Sequence, residues 1–215
     1  MIRVTEPAPR MIIVAGPPGG GKSSHFPVKN SGVEWFNSDD RAAQLNAGSY
    51  HNIPVDVRAA SGRELQRFIE SRIEGRQSFA FENALRTDIV FEQIRRAKGL
   101  GFEVLFDYLA AGPVEEHIRR VINRARLGGH SASERKLRSI YENSMRNLLI
   151  AFEGNRSRWI DVLRIFDNSE NLGQPRLVLS LVGAVPRTML DDIPPWLNAA
   201  LQGSDFTIEK LRARR

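Results

Sequence analysis

Gly16-Pro17-Pro18-Gly19-Gly20-Gly21-Lys22-Ser23 fits the pattern G-x-x-x-x-G-K-[ST] and follows directly on Met11 to Ala15, a short apolar, β-branched run that reads as a buried strand. No other feature of the chain restricts its fold so strongly. A strand that breaks into a glycine-rich turn leaves successive backbone N–H groups aimed at one spot, because glycine adopts backbone angles closed to other residues. The turn is an anion cradle. Gly16, Pro17, Pro18, Gly19, Gly20 and Gly21 would line it, with Lys22 on the β- and γ-phosphates, Ser23 a ligand of Mg²⁺ and Ser24 next in the same turn. A triphosphate with magnesium is the expected ligand, and the lack of an Asn-Lys-x-Asp guanine signature and of an LSGGQ-like segment argues against a GTPase and a transporter-type ATPase.

Beyond the loop, strand and helix signals alternate. Further strands are expected at 33–36, 78–81, 102–106, 162–166 and 177–182, the fourth ending at Asp107. Helices are expected over Asp39 to Leu45, from a capping box at Ser61-Gly62-Arg63-Glu64 to Gly75, and from Thr87 to Gly99. Two more follow, from Pro113 to Gly128 and from a capping box at Ser131 and Glu134 through Phe152. Such alternation predicts an α/β fold with a parallel sheet of five or six strands and helices on both faces, its ligands at the carboxyl ends of the strands. With 41% hydrophobic residues and no low-complexity linker, the 215 residues read as one P-loop domain, with 186–215 as a C-terminal appendage.

The chain has no cysteine, so disulfides and thiolate zinc sites are excluded, and its four histidines show no metal-ligand spacing. The formal charge of +6 raises the question of nucleic acid. No aromatic residues interleave with the basic ones to stack bases, and the arginine-rich tail reads as a solvated terminus, so nucleic acid is not the expected partner. Residues 1–10 lack the apolar core of a signal peptide and no run is long enough to span a membrane, so a cytoplasmic protein without membrane contact is expected.

Phosphoryl transfer to a hydroxyl needs a phosphate cradle, a metal, a base for the acceptor and positive charge over the transferring group. The polar strand ends offer candidates: Asp39 and Asp40 after the second strand, Glu82 after the third as a Mg²⁺-water or substrate ligand, then Asp107, and Asp167 with Asn168. Arg120, Arg124 and Arg126 precede Gly128-Gly129-His130, a lid with a glycine hinge. Arg120 and Arg124 share a helix face at i, i+4, while Arg126 points elsewhere.

With these residues in place, the chain resembles the zeta toxin family of P-loop kinases over most of 11–169. The resemblance rests on the Walker loop Ala15 to Ser23, on Phe36-Asn37-Ser38-Asp39-Asp40 and on Ser78-Phe79-Ala80-Phe81-Glu82 with Leu85-Arg86. It continues in Arg120-Val121 with Arg124 and Gly128-Gly129-His130, and in Phe166-Asp167-Asn168-Ser169. It implies an ATP-dependent kinase acting on the sugar 3′-hydroxyl of UDP-N-acetylglucosamine, often neutralised by a small helical antitoxin. Carried over, Asp39 is the catalytic base, Lys22 and Ser23 hold ATP and Mg²⁺, and Glu82 contacts the acceptor with Arg86, and Asp40 beside the base. Arg120, Arg124 or Arg126 supplies the lid charge, and Asp167-Asn168 lies near the adenine. The acceptor loop departs from the family: it reads Glu82-Asn83-Ala84 where the toxins have E-G-T or E-T-T, and His130 stands where a lid arginine falls. Kinase chemistry therefore carries over further than the sugar-nucleotide substrate. The rival expectations are a nucleoside or polynucleotide 5′ kinase, and an ATP-dependent binding module with little transfer.

Overall fold

A computed structural model of the chain describes residues 7–126, 132–169 and 173–214. Seven strands form one sheet in the order β2-β3-β1-β4-β5-β6-β7. They are β1 (Arg10–Ala15), β2 (Glu34–Phe36), β3 (Phe79–Asn83), β4 (Glu103–Ala110), β5 (Val162–Asp167), β6 (Arg176–Val182) and β7 (Val185–Met189). The first five run parallel, and β6 and β7 are antiparallel to their neighbours. The sheet is therefore mixed and larger than the parallel sheet of five or six strands expected. Gly183 and Ala184, at φ 60° and 61°, form the two-residue turn that reverses the chain between β6 and β7. Pro186 lies in β7, an edge strand, where proline is tolerated.

The helices are α1 (Lys22–His25), α2 (Ser38–Leu45), α3 (Val55–Glu74), α4 (Ile89–Gly99), α5 (Val114–Arg126), α6 (Glu134–Arg156), α7 (Pro195–Leu201) and α8 (Ile208–Arg212). Residues from α3, α4, α6, α7 and α8 enter a single buried cluster with Met11, Ile13, Phe79, Phe81, Phe106 and Ile165 of the strands. These strand positions alternate, so the cluster lies on one face of the sheet. Truncating a fully buried member such as Phe79 to alanine would cost about 3–5 kcal/mol.

Handedness explains the asymmetry. The crossovers from β2 to β3, β3 to β4 and β4 to β5 all step across the sheet in one direction, and right-handed connections then place all their helices on one face. The step from β1 to β2 runs the other way, so its connection lies on the opposite face. Pro27 stops α1 after four residues, and among the described residues that face carries a small cluster of Phe26, Val28 and Val33 on Val14, Ala80 and Phe166. Helices of full length on both faces, as expected, are not what the chain builds.

Two local readings also change. Helix α3 begins at Val55, six residues before the supposed capping box, and the box residues have tertiary partners instead. Ser61 donates its hydroxyl to the Ser38 carbonyl at 2.7 Å, and Glu64 pairs with Arg41, so both fasten α3 to α2. Strand β4 runs to Ala110, which places Asp107 within the sheet and not at its end. Its carboxylate is buried and accepts two bonds from Arg164 at 2.6 and 2.7 Å, taking no part in the cleft described below. The segment 186–215 supplies most of β7 with α7 and α8, and Trp196, Leu201, Phe206 and Leu211 are buried in the main core. No helix among the described residues is long and apolar enough to cross a membrane.

Candidate functional site

The glycine-rich loop leaves the carboxyl end of β1 and returns as α1, with its root between β3 and β4. Gly16 has φ 132°, and a Cβ there would stand 2.0 Å from the Leu109 carbonyl oxygen. Gly21 has φ 98° and packs against Asn168, whose Nδ2 donates to the Gly20 carbonyl at 3.1 Å. The glycines are thus required by close approach as well as by conformation. The Lys22 ammonium donates to the carbonyls of Gly16 at 2.6 Å and Pro17 at 3.1 Å. Burial lowers its pKa against the pull of Glu82 and Asp39.

In-register pairing of β1 and β3 sets Val14 beside Glu82 and Ala15 beside Asn83, bringing the Glu82 carboxylate to the loop. Ser23 Oγ donates to Glu82 Oε2 at 3.0 Å. The other oxygen, Oε1, is buried without a hydrogen-bond partner among the described residues. Desolvation raises the Glu82 pKa, opposed by the Lys22 charge and the Ser23 bond.

Asp39 and Asp40 fill the first turn of α2, where the Asn37 side chain accepts from both of their N–H groups at 2.9 and 3.3 Å. A single residue step separates their fates. Asp39 lines the cleft, exposed, whereas Asp40 accepts from the Tyr50 hydroxyl at 2.7 Å. That bond is the main reason the Tyr50 pKa is pushed up to about 12.

The cleft encloses about 660 Å³ and runs from the loop outward between α3, α4 and α6. Beyond the phosphate end, Arg58, Arg86 and Lys136 supply positive charge and Leu65, Leu137 and Ile140 an apolar floor. Leu85 holds φ 51° while fully buried, an unusual conformation for a side chain of this type. It is held there by its N–H to Asn83 Oδ1 at 2.7 Å and by Asn147 of α6, which donates to its carbonyl at 2.8 Å. Asn83, the departure from the family's acceptor loop, thus shapes the turn that presents Arg86 to the cleft.

Arg120 and Arg124 both line this cleft, while Arg126 lines an outer groove between α5 and α6. Arg120 bonds Glu116 at 2.6 Å and the Ser169 carbonyl at 3.4 Å. The lid hinge at Gly128-Gly129-His130 and the Ser131 cap lie outside the described residues, and α6 is capped by Ser133. Asn168 is placed against the loop, and its neighbour Asp167 is buried, accepting from Trp196 Nε1 of α7 at 2.9 Å. Sequence reasoning missed His117, whose buried ring bonds both the Pro18 carbonyl and the Ala111 N–H. A lone histidine on a helix carries no signal that would have found it.

The glycine-rich loop at the end of the central strand β1 marks a P-loop fold. No protein-family model matches the chain. An uncharacterised protein of Haemophilus influenzae is 26% identical over 126 residues, covering 58% of this chain and 87% of that protein. Among solved structures, the AvrRxo1-ORF1:AvrRxo1-ORF2 complex with sulphate ions matches at a TM-score of 0.66 and 18% identity, over 84% of this chain. The chain spans 61% of that partner's length, and the same complex is known with ATP. The PezAT chromosomal toxin–antitoxin system of Streptococcus pneumoniae matches at a TM-score of 0.56 and 16% identity, over 83% of this chain and 75% of that one. These likenesses give the fold. The chain shares the fold of these two proteins.

Proposed function

We propose that this chain is an ATP-dependent phosphotransferase that moves a phosphoryl group to a hydroxyl of a small nucleotide-linked acceptor. The observation that carries the reading is the meeting of Lys22, Ser23, Glu82 and Asp39, from three separate elements, in one cleft. A module that only bound nucleotide would need the loop but not Asp39. In the proposed step, Asp39 takes the proton of the acceptor hydroxyl as its oxygen bonds to the γ-phosphorus, and the bond from that phosphorus to the bridging oxygen breaks to leave ADP. Lys22 turns from its loop carbonyls to the β- and γ-phosphates. Arg124, whose charge reaches Lys22, meets the charge that spreads over the transferring group.

The residues fit magnesium. Magnesium keeps several waters and takes only one or two protein oxygens beside those of a phosphate. Ser23 Oγ would be its protein ligand, and Glu82, with one oxygen on Ser23 and the other buried without a hydrogen-bond partner among the described residues, would hold a metal-bound water. An ion held there would supply positive charge against the phosphates.

Arg58, Arg86 and Lys136 suit an acceptor with phosphate groups, and the apolar floor suits a ring or base. UDP-N-acetylglucosamine is the family's example of such an acceptor. The fold likeness to the PezAT toxin–antitoxin system supports testing a small helical antitoxin as partner. The experiment is turnover of Mg·ATP with a bacterial metabolite extract, followed by mass spectrometry. A product that gains one phosphate with the wild-type chain but not with Lys22→Ala is expected. No such product, with ATP still bound, would overturn the kinase reading in favour of the binding module.

A further inference from the structure

We propose that His117 and Asn168 are positioning residues that turn the peptides of the phosphate loop so that their N–H groups face the anion. In a trans peptide the C=O and N–H point in opposite directions, so whatever grips the carbonyl decides where the N–H goes. Two carbonyls of the loop crest are gripped from outside it. His117 Nδ1 lies 2.8 Å from the Pro18 oxygen, and Asn168 Nδ2 lies 3.1 Å from the Gly20 oxygen. The peptides concerned, Pro18-Gly19 and Gly20-Gly21, then present the Gly19 and Gly21 N–H groups on the opposite side. Gly19 and Gly21 both line the cleft.

The imidazole can do this in one form alone. The Ala111 N–H donates to Nε2 at 2.9 Å, so Nε2 carries no proton and Nδ1 must carry it, as donor to Pro18. The ring is 2% exposed, packed edge-on against Tyr141 at 5.1 Å, and Tyr141 is itself anchored through its hydroxyl to the Gly112 carbonyl. Burial, the largest influence, pushes the His117 pKa down to about 4, which keeps the ring neutral under ordinary conditions. A Cβ on Gly19 would stand 2.5 Å from the His117 carbonyl oxygen, so the loop crest rests directly on the first turn of α5. That helix also carries Arg120 and Arg124. One side chain therefore fixes both the loop and the distance from the loop to the cleft arginines.

The proposal rests on the cleft being a nucleotide site, and affinity tests it without any transfer. Calorimetry of Mg·ATP binding is paired with the thermal midpoint for His117→Ala, His117→Asn, His117→Gln and Asn168→Ala. Asparagine keeps a donor near the Nδ1 position, and glutamine keeps an acceptor near the Nε2 position. His117→Ala, His117→Gln and Asn168→Ala are each expected to weaken binding about tenfold, the loss of one charge-directed hydrogen-bond arrangement. His117→Asn should stay within about threefold of wild type even where its midpoint falls. Affinity that simply follows the thermal midpoint across the series, or His117→Gln binding as tightly as His117→Asn, would overturn the proposal. A wild-type chain that binds Mg·ATP but transfers nothing would overturn the kinase reading, while the same series still decides the role of the two tethers.

Discussion

At the proposed phosphate end of the cleft the contacts come from backbone held in place from behind, whereas at the proposed acceptor end they come from side chains of α3, of the turn before α4 and of α6, far apart in sequence. The first arrangement is rigid and indifferent to what lies beyond the phosphates: Gly16 and Gly21 are locked by neighbours at 2.0 and 2.3 Å from a hypothetical Cβ. The second is set by long, charged groups. Arg86 and Lys136 are exposed, and their reach depends on how the Leu85 turn and α6 stand. A nucleotide cradle can therefore be kept while the acceptor changes, because few residues belong to both ends.

The largest effect should come from the phosphate end. Lys22→Ala is expected to weaken Mg·ATP by about 100-fold or more and to abolish transfer, with an unchanged circular dichroism spectrum. Unaltered affinity by calorimetry would break the distinction at its firmest point. Asp39→Asn, at the junction of the two ends, should leave ATP affinity intact and slow transfer by about 10²-fold, the scale of a positioned base. Asp40→Asn should do little, since its carboxylate is engaged by Tyr50. Should rapid-quench kinetics give full rates for Asp39→Asn and slow ones for Asp40→Asn, the roles are exchanged.

Arg124→Ala is expected to lower the transfer rate by about tenfold or more with ATP affinity nearly constant, because the charge it meets develops in the transition state. Arg126→Ala, on the outer groove, serves as the control that should keep the wild-type rate. At the acceptor end, Arg86→Ala and Lys136→Ala should each raise the acceptor KM by about tenfold, a single charged hydrogen bond's worth, without altering the KM for ATP. A parallel rise in both KM values would show that the two ends are coupled.

Two further effects are on stability, and their signs differ between two buried groups. Desolvation raises the Glu82 pKa in the folded state, so its contribution is present at low pH and lost as pH rises through the folded value. Glu82→Gln should accordingly raise the thermal midpoint at neutral pH while reducing magnesium-dependent turnover. His117 behaves oppositely. With a folded pKa near 4 and an ordinary value of 6.5, its neutral ring favours the fold fully above about 6.5 and loses that advantage as pH falls through about 4. The whole swing is on the order of 3 kcal/mol, and denaturation between pH 7 and pH 4 should show it in wild type but not in His117→Asn. Nearby Lys22, Arg120 and Glu116 also influence the ring, so variants at those positions should shift the transition.

Much of the phosphate end was legible in the sequence because it is local. The loop, β1 and the Asp39 helix are each specified within about ten residues, and no distant partner is needed to recognise them. The misreadings have a common cause in tertiary partners. Ser61 and Glu64 spell a helix start, yet Ser38 and Arg41 satisfy them in mid-helix. Asp107 looks like a strand terminus until Arg164 on the adjacent strand neutralises it inside the sheet. The antiparallel end of the sheet was marked by Gly183-Ala184, a turn signal too weak to stand against the alternation of strands and helices before it. At the acceptor end, Arg58 and Lys136 were invisible as site residues, since an arginine or lysine on a helix usually meets solvent and only packing shows otherwise.

The two tethers of the phosphate loop also order events during synthesis. His117 lies 99 residues beyond Pro18, and Asn168 lies 148 residues beyond Gly20. At roughly 5–20 residues per second, the second tether leaves the ribosome on the order of ten seconds after the loop it holds. A nascent chain, or one cut short before α5, thus displays the complete nucleotide motif without the groups that aim it. The motif emerges early, and the site becomes competent late.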